Sequence, residues 1–290
     1  MGKTQRPITV ADTAYWVAMY RAIESERPDA LFHDPYARPL AGARGEEILA
    51  TIPRARVYGW PMVVRTAVMD DIIVRLAPGV DAVLNLAAGL DARPYRLPLR
   101  ADLRWIEVDY AATLEYKTAL LADAAPRCVL ERIPLDLADR SARQALFARI
   151  GSECHRVAIV SEGLLVYLAP DDAGALAADL GVQPSFRSWV TDVASPWVLR
   201  MMERTWGKRL REGGTPFQFA PKDAAAFFAQ HGWRIREYHA NVIQAARLKR
   251  EYPMAWFFKL VFAPWYRSEA TRRSGPMVGV LLLDNARSTA

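Results

Sequence analysis

Short apolar runs alternate with longer segments of helical spacing along the middle of the chain. Five of these runs have the length and the β-branched or apolar composition of buried strands: 82–87, 105–108, 128–133, 157–161 and 188–193. Two further strand candidates follow breaker residues, 233–239 after Gly232 and 277–283 after Pro276. This alternation is typical of an α/β protein, and it predicts a seven-stranded, mostly parallel sheet with helices on both faces.

The remaining segments are longer than the connections that a sheet needs. Residues 1–80, ahead of the first strand, have a mainly helical pattern, and further helical insertions are predicted at 197–217 and 241–273. The sequence contains no internal repeat, low-complexity tract or Gly/Ser linker. We therefore predict a single domain over residues 1–290, in which the helical segments form a cap over the sheet.

Charge is distributed unevenly along the chain. The sequence has 38 basic and 32 acidic residues, but 15 basic and 6 acidic residues fall between positions 200 and 273. This region therefore carries a net charge of +9 and the rest of the chain −3. Because the excess is confined to the predicted cap, it favours an acidic small molecule as partner over nucleic acid; a solvated basic face is the alternative.

Other features narrow the classes of function. Cys128 and Cys154 lack metal-ligand or redox spacing, so neither a metal site nor a disulfide is predicted. The N-terminus lacks an apolar signal core, and the most apolar stretch, 254–266, contains Lys259 and Pro264 and is too short for a membrane span. We predict a cytoplasmic protein without a membrane span. The stretch 254–266 would line an acceptor pocket, pack the cap or lie on a membrane surface.

Small or acidic residues follow four consecutive predicted strands, at the edge where parallel sheets bind ligands. Gly89 lies in the turn after the first strand, where it would let the backbone pass close to a nucleotide. Asp109 follows the second strand, twenty residues after Gly89, which is the spacing of a carboxylate that binds both ribose hydroxyls. The third and fourth strands are followed by Asp136, Leu137 and Glu162. The pattern predicts a nucleotide site.

The main alternative for such a nucleotide site is a dinucleotide-dependent dehydrogenase. Its glycine fingerprint needs glycine at two positions where this sequence has Ala87 and Ala92. None of the 11 tyrosines is followed by lysine four residues later, so the proton-relay pair of short-chain dehydrogenases is also absent from the sequence. Hydride transfer is therefore disfavoured.

Six segments recur in the order found in a known family: 13–42, 65–71 (RTAVMDD), 83–97 (VLNLAAGLDARPYRL), 105–121 (WIEVDYAATLEYKTALL), 135–137 (LDL) and 161–168 (SEGLLVYL). In these segments the chain resembles the leucine carboxyl methyltransferases, which are class I S-adenosylmethionine-dependent O-methyltransferases. The resemblance covers about residues 13–195. It implies a Rossmann-like sheet, S-adenosylmethionine as the cofactor and methylation of a carboxylate.

The resemblance also implies which residues bind the cofactor: Arg65, Ala87, Gly89, Asp91, Asp109, Tyr110, Asp136, Leu137 and Glu162. Arg65 would pair with the carboxylate of the methionine portion, and Glu162 would lie near its charged amino end. Asp109 would hold the ribose. Asp136 would accept a hydrogen bond from the adenine amino group, and the backbone N–H of Leu137 would donate to a ring nitrogen. Ala87 departs from the family, which commonly has glycine there.

The sequence offers fewer candidates for the residues that contact the methyl acceptor. Tyr167 is a candidate catalytic residue that would orient the acceptor through its hydroxyl, with packing as the alternative. Arg21 is the second candidate, with an internal ion pair to Glu24 or Asp34 as the alternative. The four histidines show no triad-like arrangement, which favours a carboxylate acceptor because a carboxylate needs no general base.

These observations predict methylation of a small or medium-sized apolar acid, such as a polyketide-type secondary metabolite. Three alternatives stay open: methylation of a hydroxyl or phenol, methylation of a protein, and a non-catalytic scaffold that binds an anionic partner through its basic cap. The sequence predicts no oligomeric state.

Overall fold

The computed structural model describes residues 9–51, 59–207, 211–214, 216–251 and 278–288. Its seven strands are β1 Ala82–Leu86, β2 Arg104–Asp109, β3 Val129–Pro134, β4 Val157–Ser161, β5 Phe186–Val193, β6 Trp233–Ala240 and β7 Gly279–Asn285. They form one sheet in the order β3-β2-β1-β4-β5-β7-β6, in which only β7 runs antiparallel to its neighbours. The predicted sheet is therefore confirmed, and each strand lies within two residues of its predicted bounds.

The helices are α1 Val10–Ser25, α2 Ala37–Ala50, α3 Trp60–Leu76, α4 Arg93–Arg96, α5 Ala111–Leu120, α6 Arg140–Glu153, α7 Pro170–Gly181, α8 Pro196–Met202, α9 Ala224–Gln230 and α10 Asn241–Arg247. Helices α6, α7 and α9 pack on one face of the sheet, around Phe147, Leu176 and Phe228. Helices α3 and α10 pack on the other, around Ile72 and Ala245. Both faces are thus covered, as the apolar strands require.

The register of the central strands determines which residues meet at the edge of the sheet. Every residue of β1 and β4 is buried, which explains why both strands read as continuous apolar runs. Leu86 at the end of β1 lies opposite Val108 of β2 and Ser161 of β4. The residues that follow these three strands are therefore neighbours, and the strand order reverses between β1 and β4, where ligands of such sheets bind.

Helices α1 and α2 belong to the predicted helical segment 1–80 and pack against each other. Helix α1 begins at a capping box formed by Thr9 and Asp12. The predicted insertion 197–217 includes most of α8, and 241–273 includes α10, whereas the apolar stretch 254–266 lies outside the described residues. Within the described ranges no helix is long and apolar enough to cross a membrane.

Candidate active site

The turn after β1 has left-handed backbone at two positions. Ala87 has a φ of 51° and Gly89 a φ of 48°. A side chain at residue 89 would bring its Cβ within 3.3 Å of the Ala14 Cβ in α1, so this turn passes closely under the first helix. Glycine adopts such a φ freely, whereas alanine there costs about 1 kcal/mol. The departure from the family at Ala87 therefore places a strained residue in the predicted cofactor turn.

Arg65 lies between two carboxylates at the ends of β4 and β5. Its Nε is 3.0 Å from Glu162 Oε1, and its Nη1 is 3.0 Å from Asp192 Oδ2. Asp192 also accepts a hydrogen bond of 2.7 Å from the backbone N–H of Gly163, which fixes the turn that carries Glu162. Neither ion pair uses Nη2 of Arg65. The predicted contact of Arg65 with the methionine carboxylate would use that nitrogen.

Arg93, which is not among the site residues predicted from the sequence, lies at the centre of the charged residues. Only 2% of its surface is exposed. Its three nitrogens each face a different carboxylate: Nε is 2.7 Å from Asp70, Nη1 is 2.8 Å from Asp91 and Nη2 is 2.7 Å from Glu162. The available signal was its position in 83–97, one of the segments that carry the resemblance, immediately after the predicted turn.

The ion pairs continue from Asp70 to the first helix. Arg96 lies 2.6 Å from Asp70 and 3.6 Å from Asp34, and Asp34 lies 2.9 Å from Arg21. Arg21 also donates a hydrogen bond of 2.6 Å to the carbonyl of Leu90 in the turn after β1. These are the contacts of the internal ion pair that was the alternative interpretation of Arg21. They attach α1 to the candidate site, and a catalytic role of Arg21 stays a prediction.

The charges of this network fit the predicted cofactor. Burial raises the pKa of Glu162, but Arg93 and Arg65 outweigh burial and lower it to about 2. The pKa of Asp91 is also lowered despite burial, chiefly by Arg93. The described network joins five carboxylates to four guanidinium groups: Asp34, Asp70, Asp91, Glu162 and Asp192 with Arg21, Arg65, Arg93 and Arg96. The excess carboxylate suits a cofactor that carries an ammonium, a sulfonium and one carboxylate.

The predicted adenosine-binding residues lie together at the ends of β2 and β3. Asp109 accepts hydrogen bonds of 2.7 Å from the backbone N–H groups of Gly89 and Tyr110. Tyr110 is 53% exposed, and burial of its hydroxyl and the nearby Asp136 carboxylate raise its pKa. Asp136 accepts a hydrogen bond of 2.9 Å from Ala138 N–H, so its carboxylate is oriented within an exposed turn. The structure thus brings these residues to one edge, and their contacts with the cofactor stay predictions.

The structure places Leu137 in the same turn as Asp136. Its carbonyl accepts a hydrogen bond of 2.7 Å from Nη1 of Arg143, at the start of α6. This contact fixes the peptide that follows Leu137, and the predicted donation from its own N–H to adenine remains to be tested.

Tyr167 lies where the charged network meets a cluster of apolar side chains. Its ring stacks on Phe217, with centroids 5.5 Å apart and an interplanar angle of 27°. Burial raises the pKa of Tyr167, and a hydrogen bond with Thr13 and the Arg65 charge partly offset that increase. We call the apolar group the aromatic cluster; its buried members are Trp16, Tyr20, Phe32, Ile48, Val63 and Phe217. Tyr167 therefore joins an apolar surface to the charged site.

Only part of the predicted basic cap lies within the described residues. Arg250 is buried and pairs with Glu24 at 2.8 Å and Asp29 at 3.1 Å, so it attaches the end of α10 to the first helix. Arg234 and Arg236 are exposed on the edge strand β6. Six of the 15 basic residues lie outside the described ranges: Lys208, Arg209, Lys259, Arg267, Arg272 and Arg273. Recruitment of an acidic acceptor by this region stays a prediction.

Comparison with known proteins identifies the family of this chain. The family model of leucine carboxyl methyltransferase matches residues 14–181. A Streptomyces coelicolor protein named as an S-adenosyl-L-methionine-dependent methyltransferase is 33% identical over 245 residues, covering 79% of this chain and 84% of that protein. A Parafrankia protein with the same name is 32% identical over 278 residues, covering 86% of each chain. The chain therefore belongs to the leucine carboxyl methyltransferase family.

Solved structures show the same fold. A DUF574 family protein from Streptomyces avermitilis has a TM-score of 0.55 and 12% identity, covering 93% of this chain and 96% of that chain. A Thermobifida fusca protein described as a methyltransferase has a TM-score of 0.55 and 14% identity, covering 98% and 96%. The family, the fold class and the S-adenosylmethionine cofactor predicted from the sequence are thus confirmed.

Proposed function

We propose that this protein transfers the methyl group of S-adenosylmethionine to the carboxylate of a small or medium-sized apolar acid, such as a polyketide-type secondary metabolite. The methyltransferase class follows from the family, and the acceptor is the part that we propose. The observation that supports it most is the position of Tyr167. Its hydroxyl lies between the aromatic cluster and a charged site whose carboxylates are weak bases.

The aromatic cluster would supply the apolar contacts that such an acid requires. Its side chains come from α1, α2 and α3, from Phe32 between α1 and α2 and from the segment around Phe217, and Leu199 and Met202 of α8 pack against them. The backbone N–H of Gln218 donates to the carbonyl of Val166 at 2.7 Å, which holds this segment beside Tyr167. An apolar chain packed on this surface would present its carboxylate at the charged end of the cluster.

The carboxylates of the site are weak bases, which favours an acceptor that needs no deprotonation. Glu162 has a pKa of about 2 and that of Asp91 is also low, so neither is an effective general base at neutral pH. The histidine side chains lie elsewhere: His33 and His155 are exposed, His231 contacts the Phe227 carbonyl, and His239 contacts Glu237. An alcohol or phenol would have to lose a proton during transfer, whereas a carboxylate already carries the reacting charge.

Bound S-adenosylmethionine supplies an electrophilic methyl group on a positively charged sulfur. On the side of this chain, Asp109 would hold the ribose, and Arg65 and Glu162 would hold the amino-acid end. Because its pKa is raised, the Tyr167 hydroxyl stays protonated and would donate a hydrogen bond to the acceptor carboxylate. The aromatic cluster would exclude water from the acceptor oxygen. One oxygen–carbon bond forms as one sulfur–carbon bond breaks, and no proton is released.

The test uses S-adenosylmethionine with a labelled methyl group and pairs of apolar acids and alcohols of matched chain length, with phenols alongside. We expect label in the acids and its release as methanol by mild alkali, because esters are cleaved under those conditions. Label that resists alkali and appears in alcohols or phenols would replace the carboxyl proposal with hydroxyl methylation. Transfer to none of these acceptors would reject a small apolar acceptor.

A further inference from the structure

Arg93 connects three parts of the chain that carry the charged side of the candidate site. It reaches α3 through Asp70, the turn after β1 through Asp91 and the turn after β4 through Glu162. Each of these ion pairs is 2.7 or 2.8 Å long. A planar guanidinium presents donors on three nitrogens in fixed directions, so one arginine can hold three carboxylates that lie apart from one another, whereas an ammonium group would have to gather them around a single nitrogen. Arg93 thereby fixes the positions of these three elements relative to one another.

We propose that Arg93 is a positioning residue for cofactor binding: it holds the Glu162 carboxylate in place for the ammonium group of S-adenosylmethionine without contacting the cofactor itself. With 2% of its surface exposed and each of its three nitrogens within 2.8 Å of a carboxylate, Arg93 is shielded by protein groups from a ligand. Glu162 is more accessible, with 15% of its side chain exposed. The inference rests on the proposed function, because it assumes that Glu162 meets the amino end of the cofactor.

Arg93 also keeps Glu162 ionised. The groups that face Glu162 are Arg65 and Thr66 of α3, Arg93 of α4 and Asp91 of the turn after β1, and Asp192 of β5 shares Arg65 with it. Burial and Asp91 raise the pKa of Glu162, and the two arginines lower it. Removing Arg93 leaves Arg65 alone, and Arg65 is already shared with Asp192. The pKa of Glu162 should then rise, and cofactor affinity should become dependent on pH.

The experiment compares two ligands and two substitutions. S-adenosylhomocysteine carries the amino-acid end and is stable in solution, whereas methylthioadenosine has the same nucleoside and thioether without that end. Arg93→Gln removes the charge, and Arg93→Lys keeps the charge on a single nitrogen that does not reproduce the three separate contacts of the guanidinium. Arg75→Gln is the control, because Arg75 forms an exposed ion pair with Glu237 outside the candidate site.

Calorimetric titration should show that Arg93→Gln weakens S-adenosylhomocysteine about 10- to 100-fold and leaves methylthioadenosine nearly unchanged. The affinity of this variant should fall further from about pH 8 to about pH 5.5, whereas that of the native protein should stay constant. Arg93→Lys should show a smaller loss, and Arg75→Gln none. In Arg93→Gln/Glu162→Gln the added pH dependence should disappear, because the titrating group is gone.

Two results would overturn the inference. If Arg93 only stabilised the fold, Arg93→Gln and Arg93→Lys would weaken both ligands equally, and that outcome rejects a positioning role. Unchanged affinity for S-adenosylhomocysteine at every pH rejects it as well. If Arg93→Gln fails to fold, the inference is tested by the two ligand affinities of Arg93→Lys and by the pH dependence of S-adenosylhomocysteine binding to the native protein. Failure of the native protein to bind S-adenosylhomocysteine would instead reject the proposed function.

Discussion

The carboxyl edge of the sheet has two halves that use acidic residues differently. The inner half, after β1 and β4, contains Asp91 and Glu162, which are held by buried arginines. The outer half, after β2 and β3, contains Asp109 and Asp136, which accept hydrogen bonds from backbone N–H groups. A carboxylate paired with buried guanidinium groups is strongly coupled to folding, because its loss leaves those charges uncompensated, whereas one that accepts only backbone hydrogen bonds is coupled more weakly. Substitutions in the inner half should therefore change stability and binding together, and those in the outer half chiefly binding.

The largest effect is expected from Glu162→Gln. The substitution leaves the Arg65 and Arg93 charges partly uncompensated in a buried site, so the free energy of unfolding should fall by about 3 kcal/mol. Asp102→Asn is the matched control, because that carboxylate forms an exposed ion pair with Arg100 and its loss should cost less than about 1 kcal/mol. Urea denaturation measures both. Equal losses in the two variants would remove the distinction between buried and exposed pairs.

Acid should also lower the free energy of unfolding, because it protonates Glu162 in the inner half. The pKa of Glu162 is about 2 in the folded protein and near 4.5 in the unfolded chain. Its contribution to stability, about 3 kcal/mol, is therefore fully present above pH 4.5 and is lost as the pH falls toward 2. Urea denaturation at a series of pH values should show this decrease in the native protein and a shallower one in Glu162→Gln. Parallel profiles would contradict the assigned pKa.

The smallest effect concerns the turn between the two halves. Ala87→Gly should increase the free energy of unfolding by about 1 kcal/mol, since it relieves a φ of 51°. Gly89→Ala should do the opposite, because residue 89 has a φ of 48° and a new Cβ would lie 3.3 Å from Ala14. Melting temperatures of both variants provide the measurement. A destabilised Ala87→Gly would show that the alanine makes a packing contact worth more than its strain.

The outer half was easier to predict from the sequence than the inner half. Buried apolar runs define where strands end, so Asp109 and Asp136 could be placed at one edge by position alone; Glu162 of the inner half could be placed in the same way, but the arginines that hold it could not. Arg93 could not, because a charged residue is usually exposed, and its partners Asp70 and Glu162 are far away in the chain. Pattern analysis shows which residues end a strand, but it does not show which arginine turns inward.

The basic region between positions 200 and 273 is a second case in which the sequence does not show which charged side chains are buried. A net charge of +9 between positions 200 and 273 describes a segment and says nothing about where each charge lies in space. In the structure Arg250 is buried against Glu24 and Asp29, whereas Arg236 is exposed on the edge strand β6. Arg250 connects the end of α10 to α1 and so serves the fold. Its charge is neutralised within the protein and is not available to attract an acidic acceptor.

The most direct test of the account is a calorimetric titration of S-adenosylmethionine into the native protein and Asp109→Ala. The carboxyl edge should bind the cofactor saturably, and Asp109→Ala should weaken binding about 10- to 100-fold while changing the free energy of unfolding by about 1 kcal/mol or less. Absence of binding to the native protein, or unchanged affinity in Asp109→Ala, would contradict the assignment of this edge as the cofactor site.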